Sequence, residues 1–305
     1  MRYLVTGGAG FIGSQIVDAL IGEGHNVRII DNLSTGKRER LNPRAEFVEA
    51  DFTKLDQIRS AFEGVEGVFH VGALPRVPFS IDCPVESQEA NVFGTLNVLM
   101  ASREAGVKRV VYSASSSAYG SQPVLPLHPD MSINPMNPYA LQKYVGEVMC
   151  CHFSEYFRLP TVALRYFNVY GPRMADEGAY VTVISIFKRQ RKAGEPLTIH
   201  GDGEQTRDFT HVSDVVRANL LAMRSERVGK GEVLNVGAGK RSSMNFIANM
   251  IGGERIYVEG RGSAESRHTE ADIEKTKELL GWEPRVVFID GLRELLRAEG
   301  IEPQS

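Results

Sequence analysis

Residues 2–31 read RYLVTGGAGFIGSQIVDALIGEGHNVRIID and predict a strand, a glycine turn, a helix and a second strand. Arg2 to Val5 are typical of a short buried strand, and the apolar residues from Ile16 to Ile21 recur at helical spacing. The glycines between them follow a G-x-x-G-x-x-G pattern at residues 7–13. Glycine permits the tight turn, and it lets backbone N–H groups and the helix N-terminus approach a diphosphate. This stretch therefore predicts the opening unit of a parallel α/β sheet.

A carboxylate ends the second predicted strand. Asp31 lies about twenty residues beyond the glycines, where an acidic side chain can accept both hydroxyls of an adenosine ribose and repels a 2′-phosphate. These residues predict a dinucleotide site that prefers NAD to NADP. Lys37 and Arg38 follow closely enough to weaken that repulsion. The alternative interpretation is a structural glycine turn in which Asp31 caps a helix.

Further strands are predicted at residues 47–50, 67–71 and 110–113, and a helix is predicted at residues 91–105. Strands that alternate with helices in this way form a doubly wound parallel sheet. Ligands of such sheets bind beyond the carboxyl ends of the strands. His70 stands at one of these ends, and we interpret it as a structural histidine whose hydrogen bonds are satisfied.

A tyrosine and a lysine are placed one helical turn apart in the sequence NPYALQK at residues 137–143. Asn137 suits a helix N-cap and Pro138 suits the first helical position, so Tyr139 and Lys143 should share one face of the helix. Ionising a tyrosine near neutral pH means lowering its pKa by about three units, which is roughly 4 kcal/mol. The ammonium of Lys143 or a positively charged nicotinamide ring could supply this. The same pair also occurs on ordinary solvated helices.

Composition and charge exclude several classes of protein. The net charge is −3, the pI is about 6.2 and no basic run is present, which argues against nucleic acid or an anionic membrane as the main partner. No apolar run reaches transmembrane length, and no signal-peptide pattern follows Met1. The three cysteines, including the adjacent Cys150 and Cys151, lack metal-type spacing. They indicate reduced, buried thiols in a cytoplasmic protein without a metal.

A serine-rich run after the strand at 110–113 completes a set of motifs. Together with the glycine turn, Asp31 and the Tyr139–Lys143 pair, this run makes the chain resemble the extended short-chain dehydrogenase/reductases. Within that family the chain is most similar to the nucleotide-sugar epimerases and dehydratases, in the UDP-glucose 4-epimerase branch. The motifs that carry the resemblance further along the chain are SSSAYG at 115–120, LRYFNVYGP at 164–172, GDGEQTRDF at 201–209 and LLGWEP at 279–284. The resemblance therefore covers essentially the whole chain in order.

The resemblance implies which residues form the site. Ser115, Tyr139 and Lys143 match the catalytic residues, with Tyr139 as the base and Lys143 as its partner. The residues implied to contact NAD are Gly7, Gly10, Phe11, Ile12, Gly13, Asp31, Asn32, Ser34, Thr35, Gly36, Asp51, Phe52, Gly72, Ala73, Leu74, Asn91, Tyr139, Lys143, Tyr166 and Phe167. The residues implied to contact a UDP-sugar are Ser115, Tyr139, Asn168, Thr182, Val183, Thr198, His200, Arg207, Arg261, Glu265 and Thr269.

Three of the substrate positions need separate comment. Arg207 offers a planar fork for a diphosphate, but a structural ion pair would use the same side chain. Arg261 lies one residue away from the usual arginine of the family. Thr269 matches the family's gate residue beside carbon 2 of the sugar, where some members carry a tyrosine. A small gate residue predicts that an N-acetyl group on carbon 2 is also accepted.

The resemblance also implies an architecture. The fold class is α/β, with a Rossmann-type doubly wound parallel sheet and a smaller C-terminal substrate-binding domain. Residues 1–169 should bind NAD, residues 206–238 should return to that domain, and residues 170–305 should form the substrate-binding domain. Helices at 91–105 and 139–156 are apolar on more than one face, as in family members that form homodimers through a four-helix contact. Buried helices of a monomer would show the same pattern.

The residues after Ser115 discriminate between the reactions of the family. Ser116 and Ser117 stand where the dehydratases carry an acid and a base, and decarboxylases of nucleotide glucuronates usually keep a glutamate at the second of these positions. A serine hydroxyl cannot do general acid–base work near neutral pH without a partner. The sequence therefore predicts a UDP-glucose/UDP-galactose 4-epimerase that acts through a 4-keto sugar. The alternatives are a UDP-glucuronate 4-epimerase, a sugar reductase, or a non-catalytic dinucleotide sensor.

Overall fold

The computed structural model describes residues 1–75, 77–175, 182–260 and 266–304 of the chain. The strands are β1 Arg2–Thr6, β2 Asn26–Asp31, β3 Glu46–Glu49, β4 Gly67–His70, β5 Arg109–Ser115, β6 Thr161–Tyr166, β7 Val169–Tyr170, β8 Leu197–His200, β9 Thr206–Asp208, β10 Thr210–His211, β11 Lys230–Val236, β12 Arg241–Ser243 and β13 Arg255–Val258. The α-helices are α1 Phe11–Gly22, α2 Leu55–Ile58, α3 Val77–Asp82, α4 Pro84–Gln88, α5 Gly94–Glu104, α6 Pro138–Phe157, α7 Val183–Ala193, α8 Val212–Arg224, α9 Met244–Ile251, α10 Glu274–Leu280 and α11 Phe288–Ala298.

A seven-stranded sheet in the order β11-β6-β5-β4-β1-β2-β3 lies at the centre of the fold. Every strand pair in it is parallel. The chain moves outward from β1 to β3, returns to β4 beside β1, and then moves outward on the other side. This reversal is the switch point at which ligands of doubly wound sheets bind. The predicted α/β fold with a doubly wound parallel sheet is confirmed.

Alternate residues of the strands point to opposite faces of the sheet, and each face carries its own apolar cluster. Val5 of β1 belongs to a cluster that includes Ile16 of α1 and Val215 of α8. Leu4, its neighbour in β1, belongs to a second cluster, which includes Phe153 of α6. Helices therefore cover both faces, and burying each large aliphatic side chain contributes about 1.5–3 kcal/mol relative to leaving it exposed.

A third apolar cluster lies in the C-terminal half of the chain, where α7, α9 and α11 pack together through Ile184, Ile247 and Leu292. Phe11, at the start of α1, packs against this cluster and against one of the two sheet clusters. β11 joins the central sheet beside β6, so the chain returns to that sheet after β9. The proposed division into an NAD-binding and a substrate-binding domain stays a prediction.

The predicted helix at residues 91–105 is divided into two elements. A π-helical turn at Glu89–Phe93 precedes α5. At the junction, a Cβ on Gly94 would lie 2.5 Å from two atoms of the Phe52 ring, so the helix and the ring can approach closely only because this residue is glycine. Apolar periodicity predicts the existence of such a helix but not a local change of its hydrogen-bond pattern.

In the described ranges, no helix combines the length and the apolar character needed to cross a membrane. The same ranges contain no group of three or more His, Cys, Asp or Glu side chains placed to hold a metal ion. The cysteines Cys83, Cys150 and Cys151 are free thiols. Only Cys150 among them is buried, so the prediction of buried thiols is wrong for Cys83, which is partly buried, and for Cys151, which is exposed.

Candidate active site

A groove of about 1240 Å³ runs along the carboxyl ends of β1, β2, β4, β5 and β6. It brings the predicted catalytic residues and most of the predicted cofactor residues to one surface. The predicted site residues that line it are Gly7, Gly10, Phe11, Ile12, Gly13, Asp31, Asn32, Ser34, Thr35, Gly36, Asp51, Phe52, Gly72, Ala73, Leu74, Ser115, Tyr139, Lys143, Tyr166 and Asn168.

The glycine turn at one end of the groove fits a dinucleotide diphosphate. A Cβ on Gly13 would lie 2.2 Å from the Gly7 carbonyl oxygen, so this close approach of turn and helix requires glycine. Gly10 is the N-cap of α1 and no side chain caps the helix there. The first N–H groups of a helix have no intrahelical partner, and together with the helix dipole they favour an anion. These residues therefore form a cradle of the shape and charge that the diphosphate of NAD requires.

Asp31 is held in place by the backbone on both sides of the cradle. Its Oδ2 accepts a hydrogen bond from the Ala9 N–H at 3.0 Å, and its Oδ1 accepts one from the Leu33 N–H at 2.8 Å. Burial raises the pKa of Asp31, and the two backbone hydrogen bonds act in the opposite direction. Each carboxylate oxygen keeps a second acceptor site, so the side chain can still receive a ribose hydroxyl.

Lys37 and Arg38 were both expected to weaken the repulsion between Asp31 and a 2′-phosphate, but of these two only Lys37 lines the groove. Arg38 forms an ion pair with Glu49 at 2.5 Å, and its guanidinium lies 5.5 Å from the Phe47 ring centroid. Lys37 and Arg40 line the groove. Arg40 was not predicted from the sequence. It lies in a short 3₁₀ helix, Arg38–Arg40, which apolar periodicity does not reveal.

The catalytic candidates meet where β5 and α6 approach each other. The Asn137 side chain accepts from the Ala140 N–H at 2.9 Å and Pro138 occupies the first turn of α6, as the sequence predicts. Tyr139 forms a hydrogen bond with Ser115, which ends β5. Lys143 donates from Nζ to the Ser113 carbonyl oxygen at 2.7 Å. A base, a hydroxyl and a cation are therefore fixed beside the groove.

Burial controls the ionisation of this group. Loss of surrounding water raises the pKa of Tyr139 to about 12, and the hydrogen bond with Ser115 acts in the opposite direction. Burial lowers the pKa of Lys143 to about 8, while the nearby Glu147 carboxylate raises it. In the chain alone Lys143 does not offset the effect of burial on the pKa of Tyr139 as the spacing suggested, because Lys143 loses its proton at a lower pH than Tyr139 does.

Asn91 and Phe167, both predicted to contact the cofactor, are not among the described residues that line the groove. The Asn91 amide binds the backbone of Leu74, accepting from its N–H at 2.8 Å and donating to its carbonyl oxygen at 3.0 Å. It also donates to Gln142 Oε1 at 2.8 Å. Asn91 thus fixes a wall of the groove, and Phe167 is fully buried beside Tyr119.

The predicted substrate residues are more scattered than the cofactor residues. Asn168 lines the groove with a positive φ of 29°, and its amide donates to the Asp208 carbonyl oxygen at 2.9 Å. Described residues of the predicted set that do not line it are Thr182, Val183, Thr198, His200, Arg207 and Thr269. Arg261 and Glu265 lie outside the described residues.

Two of these outlying residues, Thr182 and Arg207, have defined local partners, and Thr269 differs from them. The Thr182 hydroxyl caps α7 by accepting from the Ser185 N–H at 3.4 Å. The Arg207 guanidinium donates to the carbonyl oxygens of Thr206 and Arg267 at 3.0 and 3.1 Å. Thr269 is buried, and its hydroxyl has no hydrogen-bond partner among the described residues.

The sequence did not reveal a second group of lining residues, which come from separate elements and form no local motif. They are Arg40, Lys54, Glu86, Glu89, Lys188, Arg189, Lys192 and Glu299. His70, interpreted as structural, is fully buried and hydrogen-bonded through Nδ1 to Thr6 at 2.7 Å and through Nε2 to Thr95 at 3.0 Å. That interpretation is confirmed.

Comparison with known proteins gives consistent relatives along the whole chain. Residues 3–237 match the family described as the NAD dependent epimerase/dehydratase family. The chain is 41% identical over 301 residues to a putative UDP-glucose 4-epimerase of Methanocaldococcus jannaschii, covering 96% of each protein. It is 36% identical over 304 residues to the UDP-glucose 4-epimerase of Mycolicibacterium smegmatis, again covering 96% of each.

Solved structures show the same fold. UDP-glucose 4-epimerase of Thermotoga maritima with UDP-glucose superposes with a TM-score of 0.93 at 38% identity, over 98% of this chain and 99% of that one. A UDP-N-acetylglucosamine 4-epimerase of Methanobrevibacter ruminantium gives 0.91 at 36% identity, over 97% of each chain. UDP-glucuronic acid 4-epimerase of Bacillus cereus, in complex with UDP-glucuronic acid and NAD, gives 0.89 at 30% identity, over 97% and 98%. The chain therefore belongs to the NAD dependent epimerase/dehydratase family, within the extended short-chain dehydrogenase/reductases, and its cofactor is NAD.

Proposed function

We propose that this protein interconverts UDP-glucose and UDP-galactose by inverting carbon 4 of the hexose, a step of galactose metabolism. The observation that carries the proposal is the meeting of Ser115, Tyr139 and Lys143 on the groove that also holds the glycine cradle and Asp31. One base and one hydroxyl donor beside a dinucleotide site suffice for oxidation and reduction of a single carbinol.

In the proposed reaction Tyr139, as a phenolate, takes the proton of the 4-hydroxyl. Ser115 donates a hydrogen bond to the same oxygen while negative charge develops on it, which is an electrostatic form of transition-state stabilisation. The glycine turn and Asp31 would hold NAD, which would supply a hydride acceptor and donor for carbon 4 and, in its oxidised form, positive charge in the groove. Lys143, fixed on Ser113, supplies positive charge from the protein side.

The surroundings of Tyr139 support epimerisation over dehydration. A dehydratase needs a second acid–base pair to remove water from the ring, and Ser116 and Ser117 replace that pair. Among the described residues, no carboxylate contributes to the pKa of Tyr139. Acidic residues that do line the groove include Asp31 and Asp51, which belong to its dinucleotide end.

We propose a UDP-sugar as the substrate class on the basis of the relatives. UDP-sugars are named for two relatives at 41% and 36% identity and in several neighbouring structures. In this chain Asn168 faces the groove, and Arg207, Thr198 and His200 are proposed to close around the nucleotide. Arg261 and Glu265 keep their proposed roles on the resemblance alone.

A second candidate substrate is favoured by one specific residue. Thr269 is buried, and its hydroxyl lacks a partner among the described residues, which is costly unless a ligand or water satisfies it. If Thr269 lies beside carbon 2 of the sugar, its small side chain leaves room for an N-acetyl group. The protein would then also interconvert UDP-N-acetylglucosamine and UDP-N-acetylgalactosamine.

We also propose a homodimer in the cytoplasm. The helical region around π-turn residue Phe93 and helix α6 exposes large apolar side chains at Phe93, Leu141 and Tyr156, with 56%, 51% and 67% of their surfaces accessible. Such side chains on neighbouring helices are typical of a contact with a second copy. Light scattering of the purified protein tests this: a monomeric mass would contradict it, and a Leu141→Glu variant should dissociate the dimer.

The purified protein incubated with UDP-galactose and no added reductant tests the proposed function. We expect UDP-glucose to accumulate to an equilibrium mixture, because the enzyme regenerates its NAD in each cycle. Conversion of UDP-glucuronate alone would show the alternative epimerase. A requirement for stoichiometric reduced cofactor would show a reductase, and no conversion of any UDP-sugar would show a non-catalytic dinucleotide sensor.

A further inference from the structure

Two hydrogen bonds run from Ser117 to the hydroxyl of Ser115. The Ser117 N–H donates to Ser115 Oγ at 3.2 Å, and the Ser117 hydroxyl lies 2.8 Å from the same oxygen. The short 3₁₀ helix Ser116–Tyr119 creates this geometry, because Ser115 is its N-cap. Ser115 has a third neighbour, the hydroxyl of Tyr139.

The number of donors and acceptors limits what Ser115 can do. A serine hydroxyl has one proton to donate and two lone pairs that accept. The Ser117 N–H can only donate, so it occupies one acceptor position of Ser115 Oγ. If the Ser117 hydroxyl donates to the second position, Ser115 has its single proton left to donate either to Tyr139 or to a ligand in the groove.

We infer that Ser117 is a positioning residue that fills both acceptor positions of Ser115 Oγ and so makes Ser115 a donor only, aimed at Tyr139 and at the reacting oxygen of the substrate. The identity of that substrate oxygen rests on the proposed function, whereas the contacts among Ser117, Ser115 and Tyr139 are independent of it. Ser117 therefore positions Ser115, whereas a dehydratase would carry a carboxylate at this position.

A donor-only Ser115 favours the ionised form of Tyr139. It donates a stronger hydrogen bond to a phenolate oxygen than to a neutral one, and it cannot accept a hydrogen bond from the hydroxyl of neutral Tyr139. The groups that face Tyr139 are Ser115 and Tyr112 of β5 and, one turn along α6, Lys143. Ser115 is the hydrogen-bonding group that acts against the effect of burial on Tyr139.

The test is Ser117→Ala in the protein with its bound NAD. The ionisation of Tyr139 is read from the ultraviolet absorbance of the phenolate, as the difference between each variant and the same variant carrying Tyr139→Phe. The subtraction removes the absorbance of the other tyrosines, among them Tyr112, Tyr119 and Tyr166, whose pKa values burial also raises. We expect the Tyr139 midpoint in Ser117→Ala to move upward by about half a pH unit to one unit.

The same variant has a kinetic signature. On the acid side of the pH–rate profile kcat should fall by roughly three- to tenfold, because less of Tyr139 is ionised, while KM for the UDP-sugar stays within about twofold. Ser117→Thr keeps the hydroxyl and should restore the wild-type midpoint. Ser116→Ala, in the same turn, is the matched control and should leave it unchanged. In a Ser115→Ala background, Ser117→Ala should have no further effect.

Two results would overturn the inference. A downward shift in Ser117→Ala would mean that Ser115 donates to Ser117 and is released toward Tyr139 when Ser117 is lost. An unchanged midpoint would mean that the Ser117 hydroxyl is not coupled to Tyr139. Because the titration needs no sugar, either result stands even if UDP-galactose proves not to be the substrate, so the two failures are distinguishable.

Discussion

The Nζ of Lys143 donates a hydrogen bond to the main-chain carbonyl oxygen of Ser113 at 2.7 Å and so joins α6 to β5. The same Nζ lies 4.8 Å from the centroid of the Tyr112 ring. Burial lowers the pKa of Lys143 to about 8, which leaves the ammonium mostly charged near neutral pH. A positive charge is therefore fixed one helical turn from Tyr139, at a position that the side chain cannot leave without breaking both contacts.

Tyr139→Phe should abolish most turnover while NAD stays bound. The ring remains in the groove, but the hydroxyl that takes the 4-hydroxyl proton is lost. General acid–base groups contribute roughly 10²- to 10⁴-fold to rate, and we expect kcat to fall within that range. Steady-state kinetics and the cofactor absorbance of the purified variant check both halves of the prediction. Turnover within about threefold of wild type would refute the assignment of Tyr139 as the base.

Asp31→Ala should relax the preference for NAD over NADP. The buried carboxylate would face the 2′-phosphate of NADP, and removing a like charge should change the ratio of the two affinities by at least tenfold, about 1.4 kcal/mol. NAD itself should bind more weakly, because Asp31 also holds the N–H groups of Ala9 and Leu33. Titration of the apoprotein with each dinucleotide measures this. Arg38→Ala is the matched control, since Arg38 is paired with Glu49.

Thr269→Tyr should reduce activity on UDP-N-acetylhexosamines more than activity on UDP-hexoses. Overpacking beside carbon 2 typically costs 1–3 kcal/mol, about tenfold to over a hundredfold in specificity. The ratio of kcat/KM for the two substrate classes is the measurement. Thr269→Val, which keeps the volume and removes the hydroxyl, should leave that ratio nearly unchanged. An equal ratio in wild type and Thr269→Tyr would show that another residue is the gate.

His70 should make the fold sensitive to acid. Burial lowers the pKa of His70 to about 3, so the folded state keeps this ring neutral while the unfolded chain protonates it below about 6.5. Its contribution to stability is complete above about pH 6.5 and is lost as the pH falls toward 3, by about 1.4 kcal/mol per pH unit. Denaturant unfolding across this window should show a steeper loss in wild type than in His70→Gln. Parallel curves would mean that His70 is protonated in the folded state.

The sequence predicted the sheet and the dinucleotide end of the groove because both depend on local patterns. Strand, glycine turn and helix follow one another within thirty residues, and Asp31 ends the strand that this spacing requires. Asn91 shows the limit of that reasoning. The resemblance placed it in contact with the cofactor, but its amide binds the backbone of Leu74 instead. Packing between elements that are distant in sequence decides which of the two such an amide faces.

The substrate end was harder to predict for the same physical reason. Thr198, His200 and Arg207 come from two short strands whose partners, β13 and β12, lie far along the chain. Ser117 was noticed in the sequence as a missing carboxylate, yet its hydrogen bonds to Ser115 depend on a 3₁₀ turn that no periodicity reveals. Local turn geometry and long-range pairing are the two features that sequence patterns leave undetermined.

The central claim is that carbon 4 is oxidised and reduced within one active site, and deuterium at that carbon tests it most directly. UDP-galactose labelled with deuterium at carbon 4 is converted in ordinary water, and the product is analysed by NMR. The account predicts UDP-glucose that retains the deuterium at carbon 4, because the hydride returns to the carbon it left. Product in which solvent hydrogen has replaced the label would contradict the account, as would the absence of UDP-glucose.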